Sequence, residues 1–248
     1  AAFKAVGIEI VAEIRYDPGT ATAPEVVAPM LAAAPDMLCW CTSYTPMVHA
    51  MTEYAYRQGY AGQILSCTAD CYEQLIALTS PEFMEGFLFQ FPDFDDPALA
   101  EKAFFFNQPQ AFYEEYNARF PGSWTAVSWE YAAILDIWQS AVERAGTVNS
   151  VSVLAAMRQL GEVNHAFGPA QWWGQDMFGL DHTLIGDWPV VQIQGGKARI
   201  VDFGSIPDWL AQHEALLRVE MAALGQLWHQ RHGQGAGKAC LEARLVVS

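Results

Sequence analysis

The sequence is poor in positive charge: 13 Lys and Arg stand against 28 Asp and Glu in 248 residues, a formal net charge of −15. Clustered basic side chains are what hold phosphate backbones, so nucleic acid is excluded as a partner, and an anionic membrane surface with it. Also absent is any run of 18 uninterrupted apolar residues. The run from Val26 to Ala34 is too short and contains Pro29, so no direct membrane insertion is expected. No initiating Met opens the chain and no signal-like segment is present, so the chain is expected to be either a mature product or a piece of something longer.

Catalytic signatures are missing as well. There is no His-Glu-x-x-His and no Gly-x-Ser-x-Gly. The Gly-rich stretch Gly233-Gln234-Gly235-Ala236-Gly237-Lys238 is not a phosphate loop, because His232 stands where the first Gly belongs and Ala239 follows the Lys. His229-x-x-His232 lacks a third ligand at metal-site spacing, and Asp181-His182 lacks a Ser or Cys partner. Asp93, Asp95 and Asp96 read as turn and helix-cap residues. The expectation is therefore a protein without catalysis, metal or cofactor.

The five cysteines are Cys39, Cys41, Cys67, Cys71 and Cys240, an odd number that leaves at least one thiol unpaired. Neither Cys39-x-Cys41 nor Cys67-x-x-x-Cys71 has the two-residue gap of a zinc knuckle. Unpaired buried thiols acting as small hydrophobes are the reading adopted, with a four-thiolate metal site as the alternative. Thiolates of Cys39, Cys41 and Cys67 are expected to be costly within apolar strands.

What the chain does have is apolar bulk, 52% of residues, enough for a sizeable core, and nine Trp that suggest packed interfaces or a stacking pocket. Ala1 to Val6 reads as a helix tail closed by Gly7, and the alternation from Ile8 to Tyr16 as a strand. A helix over Pro24 to Ala34, a buried strand over Met37 to Cys41, a helix from Thr45 to Gln58 and a strand from Gln63 to Cys67 follow. A helix from about Ala69 to Leu78 and a strand from Gly86 to Phe91 complete this part. Strands alternating with helices over short links imply an α/β fold with a doubly wound parallel sheet. After Pro92 three helices are expected in succession: Pro97 to about Phe120, Ser128 to about Ala145, and Ser150 to Leu160. Gly195-Gly196 between Val190–Gln194 and Lys197–Val201 marks a hairpin, and Ser205-x-x-Asp208 opens a long helix.

Open parallel sheets bind ligands beyond the carboxyl ends of their strands. The strand Met37 to Cys41 delivers Thr42, Ser43, Tyr44 and Thr45 there, and the strand Gln63 to Cys67 delivers Thr68 and Asp70. Side by side these ends supply hydroxyls and one carboxylate to a small polar molecule. Thr68 or Asp70 serves equally well as a cap of the next helix.

Several segments resemble the type I periplasmic solute-binding proteins, the Leu/Ile/Val receptor family of ABC transporters. They are Glu13-x-x-Tyr16-x-Pro18-Gly19-Thr20, Ala34-Pro35-Asp36, Tyr56-Arg57-Gln58-Gly59-Tyr60, Pro92-Asp93-Phe94-Asp95-Asp96-Pro97, Ser128-Trp129-Glu130-Tyr131-Ala132-Ala133, and Phe167-Gly168-Pro169 running on to the hairpin. The resemblance implies two α/β lobes that close on a ligand. Residues 1–91 would form a second-lobe α/β unit, 92–163 helices belonging to the first lobe, 164–204 the return with its hairpin, 205–230 a long helix and 231–248 a loose tail. The first lobe's sheet and the opening unit of the second are missing from this pattern. By the same resemblance Tyr44 is an aromatic ligand contact, and Thr68 or Asp70 occupies the region where amino-acid receptors place a carboxylate. The best-matched position there is Thr68 rather than Glu. Trp129 and Glu130 face the cleft in related proteins, their other reading being a core aromatic and a first-turn acid.

The function implied is the periplasmic or extracytoplasmic substrate-binding component of an ABC transporter. It captures an amino acid, amide or related acid without chemical turnover and delivers it to permease subunits. The alternative is a ligand-sensing regulatory module of the same fold. Helices after Pro97 without a sheet of their own should expose apolar surface or be covered by a second chain.

Overall fold

The structure, a computed structural model, describes residues 1–41, 45–67, 71–93, 95–101, 109–123, 128–161, 163–181 and 183–232. Helix α1 (Ala2–Ala5) leads into residues 8–16. Helix α2 (Ala23–Ala32) starts where the Thr22 amide donates to the Glu25 carboxylate at 2.8 Å, and it carries Pro29 within it. Strand β1 (Met37–Trp40), helix α3 (Thr45–Arg57), strand β2 (Gln63–Ser66), helix α4 (Tyr72–Leu78), the short α5 (Pro81–Met84) and strand β3 (Leu88–Phe89) complete the first α/β run. Gly59, at φ +72°, turns the chain out of α3, a conformation that costs a residue with a Cβ far more.

Strand β1 pairs in parallel with β2, with Trp40 opposite Ser66, and β2 in parallel with β3. Leu38 and Trp40 alternate into the core, where Val27, Val48, Met51, Leu75 and Met84 meet them. The buried Trp40 indole donates to Thr52 Oγ1 at 3.1 Å, which satisfies a group whose burial would otherwise be unfavourable.

Beyond Phe91 the chain makes a 3₁₀ turn (Pro97–Glu101), then α6 (Pro109–Arg119), α7 (Ser128–Ala145) and α8 (Ser150–Arg158), the last capped by Asn149 Oδ1 accepting from the Ser152 amide at 3.2 Å. Strand β4 (Val163–His165), strand β5 (Gly168–Trp173) and helix α9 (Gln175–Phe178) precede the long β6 (Thr183–Gln194) and β7 (Lys197–Ser205). Gly195 and Gly196 have φ +57° and +77°, the doubly left-handed turn that matches strand twist. A bulge between Val190 and Val191 shifts the register against β7. Helix α10 (Ile206–Ala223), capped by Ser205, buries Leu210 and packs on β6; α11 (Trp228–His232) ends the described chain.

The sheet runs β1-β2-β3-β6-β5-β4, with β7 paired to β6. It is parallel only over its first three strands; β6 is antiparallel to β3 and to β5, so the doubly wound expectation holds for one part of it. A second buried cluster of Leu99, Ala133, Ala166 and Phe167 joins the helical region to β6 and β7 through Trp188, Ile200 and Phe203. Among the described residues no helix is long and apolar enough to cross a membrane.

Three sequence expectations need correction. Ile8 to Tyr16 is not a strand of the sheet: it joins no ladder, and a cavity of about 980 Å³ separates it from the unpaired edge of β1. Alternation predicts two faces but cannot supply a neighbouring edge. The helix expected from Pro97 to Phe120 opens as a 3₁₀ turn over Pro97–Glu101 and is α-helical over Pro109–Arg119, with residues 102–108 outside the described residues. The strand expected over Gly86 to Phe91 narrows to Leu88–Phe89, although the Gly86 amide still reaches Ile193 O at 2.9 Å.

Candidate functional site

Parallel pairing brings three strand ends together at one margin of the sheet. Trp40 sits opposite Ser66, so the chain leaves β1 and β2 from neighbouring points. Gln90, just past β3, donates from Nε2 to the Cys67 carbonyl at 2.6 Å and so ties the third end to the second. Cys67 Sγ reaches Trp40 O at 3.5 Å, linking the second to the first. The backbone stems of residues 42–44 and 68–70 are therefore fixed side by side, although the candidate contacts Ser43, Tyr44, Thr68 and Asp70 themselves lie outside the described residues.

Trp129 and Glu130 fall in the first turn of α7, and their side chains also lie outside what is described. Helix α7 packs chiefly on α8 and on β4. The described residues thus unite the stems of the two expected loops, and do not bring α7 onto them.

Behind the strand ends lies a network that local sequence did not reveal. Tyr72, at the start of α4, donates its hydroxyl to the Asp93 carboxylate at 2.9 Å, and Asp93 Oδ2 accepts the Ala198 amide of β7 at 3.3 Å. Arg199 reaches Asp95 at 3.0 Å and Asp93 at 3.6 Å. Asp96 is buried: its Oδ1 accepts from Ala98 at 2.9 Å, as a cap should, and its Oδ2 from Ile200 at 2.7 Å. Burial pushes the Asp93 carboxyl up, against the downward pull of Tyr72 and Arg199. Burial and the adjoining Asp93 push the Tyr72 hydroxyl up, so it remains a donor. The three acids were read as turn and cap; their second role is to clamp the exit from β3 onto β7. The clamp's partners are about a hundred residues away, and only a lone Arg199 in a strand hinted at them.

Two cavities flank this framework. The larger, about 980 Å³, runs between residues 8–16 and β1 and touches the strand ends only at Trp40 and Cys41. The smaller, about 290 Å³, is bounded by Trp172, Trp173, Asp176, Asp181 and Glu214, on the far side of β5. Among the described residues no group of three or more His, Cys, Asp or Glu is disposed to hold a metal ion.

A family model described as periplasmic binding protein matches residues 1–198. No curated protein sequence matches the chain significantly. Solved structures are similar in fold. A leucine-binding protein, LivK, of Thermotoga maritima has 19% identity and a TM-score of 0.62, with 83% of this chain and 55% of that one covered. An ABC-transporter solute-binding protein of R. palustris in complex with benzoate has 14% identity and a TM-score of 0.60, covering 82% and 52%. A fatty acid ABC transporter substrate-binding protein of Thermomonospora curvata has 18% identity and a TM-score of 0.60, covering 81% and 51%. The chain therefore spans about half the length of the structures it matches.

Proposed function

Because the chain belongs to the periplasmic binding protein family, we propose that it acts outside the cytoplasm as the substrate-binding component of an ABC transporter. It captures a small polar molecule and hands it to permease subunits, with no chemical step. Ser43, Tyr44, Thr68 and Asp70 contact the ligand from one side of the cleft, and Trp129 and Glu130 from the other. The observation that carries this reading is the side-by-side placement of the β1 and β2 ends, with Trp40 opposite Ser66, from which two hydroxyl-bearing loops depart together.

Similar structures bear ligands as different as leucine, benzoate and fatty acid in their titles. An amino acid, an amide or a related acid is the class proposed here, since Asp70 offers a carboxylate to an ammonium and Thr68 a hydroxyl to a carbonyl or carboxylate.

A thermal-shift panel of amino acids, amides, ureas and small aromatic acids, run on protein carrying both lobes, tests the reading. Stabilisation by one class supports it. No stabilisation by any class overturns it.

A further inference from the structure

Cys39 and Cys41 stand two residues apart at the end of β1, so the alternation of a strand puts both on one face, opposite Leu38 and Trp40. Both are free thiols, and their sulfurs approach to 2.9 Å. Cys41 is exposed, and both line the cavity of about 980 Å³, which admits a small molecule to them. The expectation that strand cysteines act only as buried hydrophobes fails at this pair.

From this geometry we propose that Cys39 and Cys41 form a reversible dithiol–disulfide site that exchanges with small uncharged disulfides. Cys41 acts first. The two sulfurs share a hydrogen bond, and with Cys39 as its donor Cys41 comes down to about 7 against the opposing effect of burial. The same bond, together with burial, pushes the Cys39 thiol up, so the pair shares one proton that stays on Cys39. A donor beside the charge offsets the cost expected of a Cys41 thiolate.

The Cys41 thiolate attacks one sulfur of the disulfide RSSR; that S–S bond breaks, and RS⁻ leaves and takes a proton from water. A mixed disulfide now joins Cys41 to the second half. With the charge on Cys41 gone, Cys39 releases its proton to water, attacks Cys41 Sγ and expels the second RS⁻, which is protonated in turn. From the Cys41 thiolate and Cys39 thiol the protein loses two electrons and one proton, water supplies the second proton, and RSSR becomes two thiols. Closing the pair to a bond of about 2.05 Å asks for less than one ångström of relative sulfur movement.

Charge sets the selectivity. Glu9, Glu13 and Asp36 outnumber Arg15 along the cavity, so an anionic oxidant such as glutathione disulfide is disfavoured relative to a neutral one. The lowered pKa raises the thiolate fraction of Cys41 at neutral pH above that of an ordinary thiol, and its lower basicity offsets part of this gain.

The test treats the folded, reduced protein with bis(2-hydroxyethyl) disulfide at neutral pH, quenches with acid, and maps cysteines by alkylation and mass spectrometry. The expected product has lost two hydrogens within the peptide carrying Cys39 and Cys41, while Cys67, Cys71 and Cys240 remain open to alkylation. Cys39→Ser should stop at a mixed disulfide on Cys41, and Cys41→Ser should slow reaction of this peptide at least tenfold. The wild-type map is decisive even where a variant fails to fold. A bond from Cys41 to Cys67 or Cys71, or full alkylation of both Cys39 and Cys41 after treatment, would overturn the proposal.

Discussion

Asp96 accepts the backbone amide of Ile200 at 2.7 Å, joining the segment after β3 to β7 across 104 residues of chain. The other carboxylate oxygen accepts the amide of Ala98 at 2.9 Å. Asp96→Ala strands two amides at a buried site and should destabilise the protein by about 2–4 kcal/mol. Asp96→Asn keeps one acceptor and should lose about half as much. Urea denaturation midpoints at constant slope measure both. An Ala variant within 0.5 kcal/mol of wild type, the size of an ordinary surface change, would show that the clamp is unimportant.

In the first α/β run, Thr52 is fully buried and accepts the Trp40 indole N–H. Thr52→Val preserves shape and removes the acceptor, at an expected cost of about 1–3 kcal/mol. Thermal unfolding followed by circular dichroism reads the loss. An unchanged midpoint would mean that the indole finds another partner.

His165 is stacked on Trp188 at 5.7 Å with an interplanar angle of 3°, and its Nε2 is buried without a hydrogen-bond partner among the described residues. Burial holds its imidazole below the usual 6.5, with Asp187 opposing. The unfolded chain therefore takes up this proton at higher pH than the folded chain does. The stability of the neutral, stacked form is complete above about 6.5 and falls as the pH drops below it, levelling off once the folded state is also protonated. His165→Phe retains the stack, costs about 1–3 kcal/mol in crowding against Gly186, and should flatten the slope between about pH 6.5 and pH 5. Midpoints measured across that range check it. An equal slope in the variant would place the titration elsewhere.

Helix α7 leaves Ile134, Leu135 and Trp138 exposed, Leu135 to 66%. Apolar surface was expected after Pro97, and these side chains expose it, although the same helix also packs on β4. The residues 1–248 alone should self-associate at high concentration through this face, and Leu135→Glu with Trp138→Glu should reduce it severalfold in light scattering. A monodisperse wild-type monomer would contradict the prediction.

The sequence was most legible where local chemistry decides the backbone. Gly195-Gly196 specified its turn, Ser205 the start of α10, and Asn149 lies at the start of α8, where a helix was read from Ser150. It misled where the outcome depends on distant chain. Ile8 to Tyr16 has strand alternation, yet its nearest edge lies across a cavity. Pro109, the first residue of α6, falls inside a span that was read as one helix from Pro97. For the site, the strands bearing the two loops were legible from their apolar runs and their register was not. The Asp93–Arg199 contact arises only when the sheet and hairpin assemble, whereas the Cys39–Cys41 approach follows from strand alternation two residues apart.

The ligand loops make their own prediction. Asp70→Asn and Tyr44→Ala should each weaken ligand binding tenfold or more, about 1.4 kcal/mol, while leaving the unliganded midpoint nearly unchanged. Equal affinity in both variants would remove these residues from the site.

Calorimetric titration of a stabilising ligand into protein carrying both lobes, with the ligand recovered and assayed afterwards, bears on the proposed function with least inference. The expected result is saturable one-to-one binding, a thermal stabilisation of about 2.7 kcal/mol at a hundredfold excess over Kd, and ligand recovered chemically unchanged. Absence of saturable binding across the amino acids, amides and small acids, or consumption of the ligand during incubation, would contradict it.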